Sequence, residues 1–217
     1  MVSTPTLVIG NKNYSSWSLR PWLALRKAGI AFDEVKVFLD KPDTKKRILE
    51  HTPAGKVPAL VTGGQTVWDS LAICEWAAEQ VPALWPRDAA DRAHARSISA
   101  EMHSGFMALR AALPMNIRAT GRKVPSNPAL EADIARILEI WAGCRATHAD
   151  AGPWLFGEFS IADAMFAPVA TRLRTYAIAL DETAKAYIDT LFADPDFKDW
   201  LTEAEAEEDM LRIEEVG

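Results

Sequence analysis

The sequence predicts an α/β N-terminal unit over residues 1–81 followed by an all-α unit over 88–217. Three observations carry this. Strand and helix signals alternate up to about residue 80, Pro82 and Pro86 interrupt the pattern, and every periodic segment beyond them repeats at helical spacing. A chain of 217 residues, at about 150 per domain, has room for one large or two small domains. With 49% hydrophobic and 25% charged residues it has the composition of a folded globular protein, not of a disordered or collagen-like one.

Taken in order, Thr6–Ile9 is a short apolar strand. Ser16 to Ala28 places Leu19, Trp22, Leu23, Leu25 and Ala28 on one helical face and closes on Gly29. Phe32–Leu39 alternates as a second strand, and Asp43–His51 is a short polar helix entered after Pro42. Val57–Val61 and Gln65–Trp68, separated by Gly63-Gly64, read as a hairpin. Ser70–Gln80 is a third helix, so the order is βαβαββα, a small mixed sheet covered by helices in a thioredoxin-like arrangement. Downstream, helices are expected over 89–119, 130–150, 161–176 and 183–189, with Pro195 opening a further turn. Ser160 caps the third of these and Asp163, three residues on, reaches back as in a capping box.

Residues 203–217 hold seven acids and one base, Arg212, so this tail accounts for the whole net charge of −6 and is expected to be a solvated end. The remaining body is neutral and lacks the basic excess of a nucleic-acid binder. No apolar run approaches the roughly 20 residues of a membrane span, and Met1–Pro5 does not open a secretory leader, so a cytoplasmic chain is expected. Cys74 and Cys144 have no paired spacing, which argues against a disulfide framework and a metal site.

Three local constellations bear chemistry. In Asn13–Arg20, the hydroxyls of Ser15 and Ser16 fall where the first strand gives way to the first helix, and the unpaired N–H groups and dipole of a helix start favour an anion such as a thiolate. A thiol titrates near 8.5, and each unit of lowering takes about 1.4 kcal/mol, within reach of one charge-assisted hydrogen bond. Lys56-Val57-Pro58 opens a strand with a proline; a cis bond there leaves the Val57 backbone free to grip an extended peptide, whereas a trans edge proline is the commoner state. Asp69-Ser70 precedes the third helix, suited to the ammonium and carboxylate of an α-amino acid. Plain helix capping explains each serine and aspartate equally well when taken singly.

Together these segments resemble a cytosolic glutathione transferase of the serine type, especially the zeta class, whose first helix starts Ser-Ser-Cys-Ser-x-Arg and is followed by Val-Pro and Gln-Ser-Leu-Ala-Ile. The resemblance spans nearly the whole chain. It implies that Ser15, with Ser16 as second candidate, stabilises the glutathione thiolate, that Val57 beside Pro58 pairs with the cysteinyl backbone, that Asp69 and Ser70 hold the γ-glutamyl end, and that Lys56 reaches the glycyl end. Ser160 and Asp163 match the family's folding motif. Trp17 stands where the zeta class has cysteine, Asp69 replaces its glutamine, and Tyr14 is a weaker alternative to the serines.

The same resemblance places an electrophile pocket between the two units, walled by Met102, Phe106 and Met107 with His103 or Arg110 as polar contact, although packing in the core serves each equally well. It implies a homodimer, glutathione as co-substrate with a small electrophile, no metal, and a detoxifying conjugation. The alternatives are a glutathione-dependent cis–trans isomerase of the maleylacetoacetate type, whose dicarboxylate substrate needs cations such as Arg20, Arg110 or Arg118, and a non-catalytic binding protein that kept the fold.

Overall fold

The computed structural model describes residues 4–217; Met1 to Ser3, part of the segment read above for a leader, lie outside them. Four strands form one sheet in the order β2-β1-β3-β4: β1 (Thr6–Ile9), β2 (Asp33–Lys36), β3 (Ala59–Thr62) and β4 (Gln65–Trp68). β2 runs parallel to β1, while β3 is antiparallel to both β1 and β4. The hairpin turns on Gly63 and Gly64, both at positive φ, which glycine adopts without a Cβ penalty. β2 is an edge strand and carries charges, Asp33, Glu34 and Lys36, that discourage further pairing.

Side chains alternate across the sheet. Leu7, Ile9 and Leu60 face the main core under α1 (Ser16–Lys27) and α3 (Ser70–Gln80), and Val8 and Ala59 pack on the other face with Val37 and Ile48, the latter from α2 (Thr44–Leu49).

The rest of the chain is helical: α4 (Ala89–Ser104), α5 (Met107–Ala112), α6 (Pro128–His148), α7 (Ile161–Thr175), α8 (Glu182–Ala193) and α9 (Pro195–Glu205). Two expectations are corrected. The helix predicted over 89–119 stops at Gly105 and restarts after Phe106, whose φ of 59° is incompatible with a continuous helix, and ends at Ala112. The turn after Pro195 is an 11-residue helix, with Asp194 accepting the Phe197 N–H at 3.1 Å as its cap. The Asp163 carboxylate accepts the Ser160 N–H at 2.8 Å, as the capping motif predicts.

α7 lies at the centre and is buried along almost its whole length. One apolar cluster runs from Leu7 and Leu60 through α1 and α3 to Trp141, Phe166 and Trp200, so both halves share a core. Polar bolts reinforce the seam: Asn13 Nδ2 donates to Asn116 Oδ1 at 2.9 Å, and Arg20 Nε to the Met165 carbonyl at 3.1 Å. No described helix is long and apolar enough to cross a membrane.

Candidate active site

The N-terminus of α1 carries the first group of candidates. Ser15 is its N-cap, yet its hydroxyl makes no capping bond; it lies 2.7 Å from Ser18 Oγ, which accepts the Gly10 N–H at 3.1 Å. When Ser18 donates to Ser15, the Ser15 proton is left for the cavity. Ser16 Oγ accepts from Arg172 Nη2 at 3.2 Å, which leaves its proton free too. Arg172 is buried; its Nε donates to the Leu113 carbonyl at 2.8 Å, and burial with Arg110 nearby pushes its pKa down to about 10, still charged at neutral pH. The Trp17 N–H has no acceptor among the described residues, as expected of a first-turn donor.

Tyr14 borders the same cavity as the serines, but its hydroxyl is engaged elsewhere. Its hydroxyl donates to Glu215 at 2.7 Å and accepts from Arg118 Nη2 at 2.9 Å, so it is committed to the C-terminal segment.

Val57 and Pro58 precede β3, and their peptide bond is cis. Val57 lies outside the β3 ladder, and its backbone makes no hydrogen bond among the described residues. Asp69, at φ 77°, caps α3: Oδ1 accepts the Leu71 N–H at 2.9 Å, and Oδ2 sits 3.3 Å from Nε2 of His103 on α4. The capping role foreseen for Asp69 is present, and its second oxygen faces His103 at the cavity wall. Ser70 is buried and its hydroxyl has no partner among the described residues, an orphan that a ligand carboxylate would satisfy.

Two cavities meet here. One, about 270 Å³, is lined by Lys56, Val57, Asp69, Ser70 and His103; the other, about 450 Å³, by Ser15, Ser16, Arg110, Arg172 and Glu214. Trp17, Lys56 and Val57 border both. Trp17 is held between guanidinium groups, 4.4 Å from Arg20 and 4.7 Å from Arg110. A larger cavity of about 580 Å³ lies near the linker between Glu75, Trp85 and Arg96, away from these hydroxyls.

Of the wall expected on the first helix of the second half, only Arg110 faces the 450 Å³ cavity. Met102 is in the core, Phe106 is buried at the helix break, and Met107 is exposed, so none of the three lines either cavity. Met102 precedes the break at Gly105 on the core-facing side of α4, and Phe106 and Met107 lie at and after it. Arg20 is fully buried and lines neither cavity, and Arg118 is bound by the C-terminal segment through the Glu207 and Asp209 carbonyls. Arg172 and Glu214 were not foreseen. Arg172 had a signal, the first of two basic residues, with Arg174, that close the largely apolar stretch 161–171, whereas Glu214 is hidden among the acids of the tail.

Comparison with known proteins settles the family. Residues 14–80 match the model for the glutathione S-transferase N-terminal domain, and residues 89–203 match that for its C-terminal domain. The chain belongs to the glutathione S-transferase family. Within the family it is 30% identical over 182 residues to the maleylacetoacetate isomerase of Rattus norvegicus, covering 81% of each chain. It is 36% identical over 107 residues to a probable maleylacetoacetate isomerase of Caenorhabditis elegans, a match spanning 48% of this chain and 49% of that relative, about half its length. The crystal structure of a glutathione transferase homolog from Burkholderia, with bound glutathione, superposes with a TM-score of 0.70 at 23% identity, covering 94% of this chain and 99% of the other. That likeness establishes the shared fold.

Proposed function

We propose that this transferase-family chain binds glutathione across the two adjoining cavities and activates its thiol for attack on a small electrophile. The observation that carries the reading is the meeting of an unpaired peptide edge and an orphaned carboxylate receptor with two hydroxyls at a helix start. The tripeptide pairs with the Val57 backbone by strand addition. Its γ-glutamyl carboxylate satisfies the Ser70 hydroxyl while its ammonium meets Asp69, and Lys56 reaches the glycyl carboxylate. This directs the thiol to the N-terminus of α1. There Ser15 or Ser16, the Trp17 N–H and the helix dipole all favour the thiolate, and the Arg110 and Arg172 charges add to them.

Two units of pKa lowering require about 3 kcal/mol, the scale of one or two charge-assisted hydrogen bonds. The thiolate then adds to an electrophile in the 450 Å³ cavity. Two-fold pairing of a cytoplasmic chain belongs to the same reading.

The test is the ultraviolet absorbance of glutathione thiolate against pH on the wild-type chain, Ser15→Ala and Ser16→Ala. A depressed thiol pKa that returns toward its free value in one variant identifies the donor. Glutathione bound with an unshifted thiol overturns the activation mechanism and leaves the non-catalytic reading.

A second reading, glutathione-dependent cis–trans isomerisation, is favoured by Arg110 and Arg172 on the cavity wall, cations placed to receive a dicarboxylate. Here the thiolate adds reversibly to the double bond, the resulting single bond rotates, and the thiolate leaves. Turnover of a cis-unsaturated dicarboxylic acid without consumption of glutathione separates this from conjugation.

A further inference from the structure

The C-terminal segment brings one acid to a cavity whose other charged walls are basic. Glu214, in the turn Arg212–Glu214, lines the 450 Å³ cavity together with Lys56, Arg110 and Arg172 and is the sole carboxylate among its lining residues. Anchors hold the turn on both sides. Upstream, Glu207 and Asp209 pair with Lys36 and Lys41 at 3.0 and 2.8 Å, and Leu211 is buried. Downstream, Glu215 accepts from Tyr14 and from Asn116 at 2.7 and 2.9 Å and pairs with Arg122.

Glu214 itself differs from these anchors. Its side chain makes no hydrogen bond or ion pair among the described residues, so it contributes nothing visible to docking the segment. It is half-buried, and the attraction of Arg172 works against the burial that raises its carboxyl. A carboxylate placed so, under the attraction of Arg172 in a partly desolvated cleft, alters the potential that an incoming ligand meets.

We propose that Glu214 is a specificity-determining residue: its carboxylate offsets the Arg172 charge on the cavity wall and selects against electrophiles bearing carboxylates, in favour of neutral ones. The inference rests on the reading that this cavity receives the electrophile. Without its acid, a cavity walled by Lys56, Arg110 and Arg172 favours a dicarboxylate, and Glu214 reduces that preference, which sets the balance between the two readings above.

The test titrates maleate and succinate calorimetrically into the full chain, as wild type, Glu214→Gln, Glu214→Ala and Glu208→Ala. Glu208 is an exposed acid of the same segment, away from the cavity, and controls for net charge. Both Glu214 variants are expected to bind the dicarboxylates about tenfold more tightly while Glu208→Ala binds as wild type. With glutathione present, the ratio of kcat/KM for a carboxylate-bearing electrophile to that for a neutral aryl halide is expected to rise by a similar factor.

Equal tightening in Glu208→Ala, no tightening in the Glu214 variants, or no dicarboxylate binding by any of them overturns the proposal. Glutathione is titrated separately: its failure to bind defeats the transferase reading, whatever the dicarboxylate series shows.

Discussion

Asp163 shows at the scale of one residue what a buried capping acid does to stability. Its carboxylate accepts N–H bonds from Leu155 at 3.1 Å and Ser160 at 2.8 Å and the Tyr187 hydroxyl at 3.0 Å, yet it is fully buried. Burial outweighs these bonds and pushes its pKa up to about 6. The folded chain therefore holds this proton more tightly than the unfolded chain, where an aspartate titrates near 3.9. Its contribution is complete below about pH 4, is lost as pH rises through about 6, and is constant above, a swing of about 3 kcal/mol. Urea unfolding of wild type against Asp163→Asn between pH 4 and 7 checks this. The difference in unfolding free energy is expected to move against the wild type across that interval, and a pH-independent difference refutes the shift. Leu155 donates to Oδ1 and Ser160 to Oδ2, so the asparagine keeps an acceptor for only one of them; that loss is a pH-independent offset, and the pH-dependent part of the difference reports the proton.

Between residue and molecule, the join of α4 and α5 fixes where Arg110 sits. A Cβ at Gly105 would lie 2.8 Å from the Glu101 carbonyl, and the Gly105 carbonyl accepts from Arg110 Nε at 3.0 Å, so this glycine both permits the close approach and positions the cation. Gly105→Ala is expected to lower stability by about 1–3 kcal/mol, since backbone cannot yield as a flexible side chain does. It is also expected to raise KM for the electrophile through displaced Arg110; urea midpoints and steady-state kinetics measure the two. An unchanged midpoint would mean that the turn accommodates a methyl group. The break was not legible because Met102, Phe106, Leu109 and Leu113 continue an apolar helical spacing straight through it. The βαβαββα unit was legible for the opposite reason: Gly29, Gly63-Gly64, Pro58 and Asp69 punctuate each change of period. In the candidate site the local pieces were readable, Ser15, Ser16, Val57, Asp69 and Ser70 each lying at an element start. Arg172 and Glu214 reach the cavity by long-range packing, which local spacing does not encode.

On the scale of the whole molecule, the acidic tail is a docked strap and not the solvated end its composition suggested. Glu207 is buried and accepts the N–H groups of Lys12 and Asn13 at 2.8 and 3.0 Å while pairing with Lys36, and Glu203 reaches the buried Lys12 ammonium at 2.7 Å. That ammonium is also 4.9 and 5.1 Å from the rings of Trp22 and Trp200, and Trp200 Nε1 donates to the Lys12 carbonyl at 3.1 Å. Acids and bases nearly the full chain length apart thus neutralise one another, a pairing that net charge by segment conceals. The strap holds in place the loop between β1 and α1, and with it the start of the helix that carries Ser15 and Ser16. Glu207→Ala strips two buried N–H donors of their acceptor, and each such orphan costs about 1–3 kcal/mol. A loss of about 2–5 kcal/mol in unfolding free energy is expected, against less than about 0.5 kcal/mol for Glu208→Ala at the exposed neighbouring position. Denaturant titration distinguishes them, and equal midpoints would show that the strap adds nothing to the fold. Because the lost groups are buried, the Glu207 effect should persist at high salt, where interactions between exposed charges are screened.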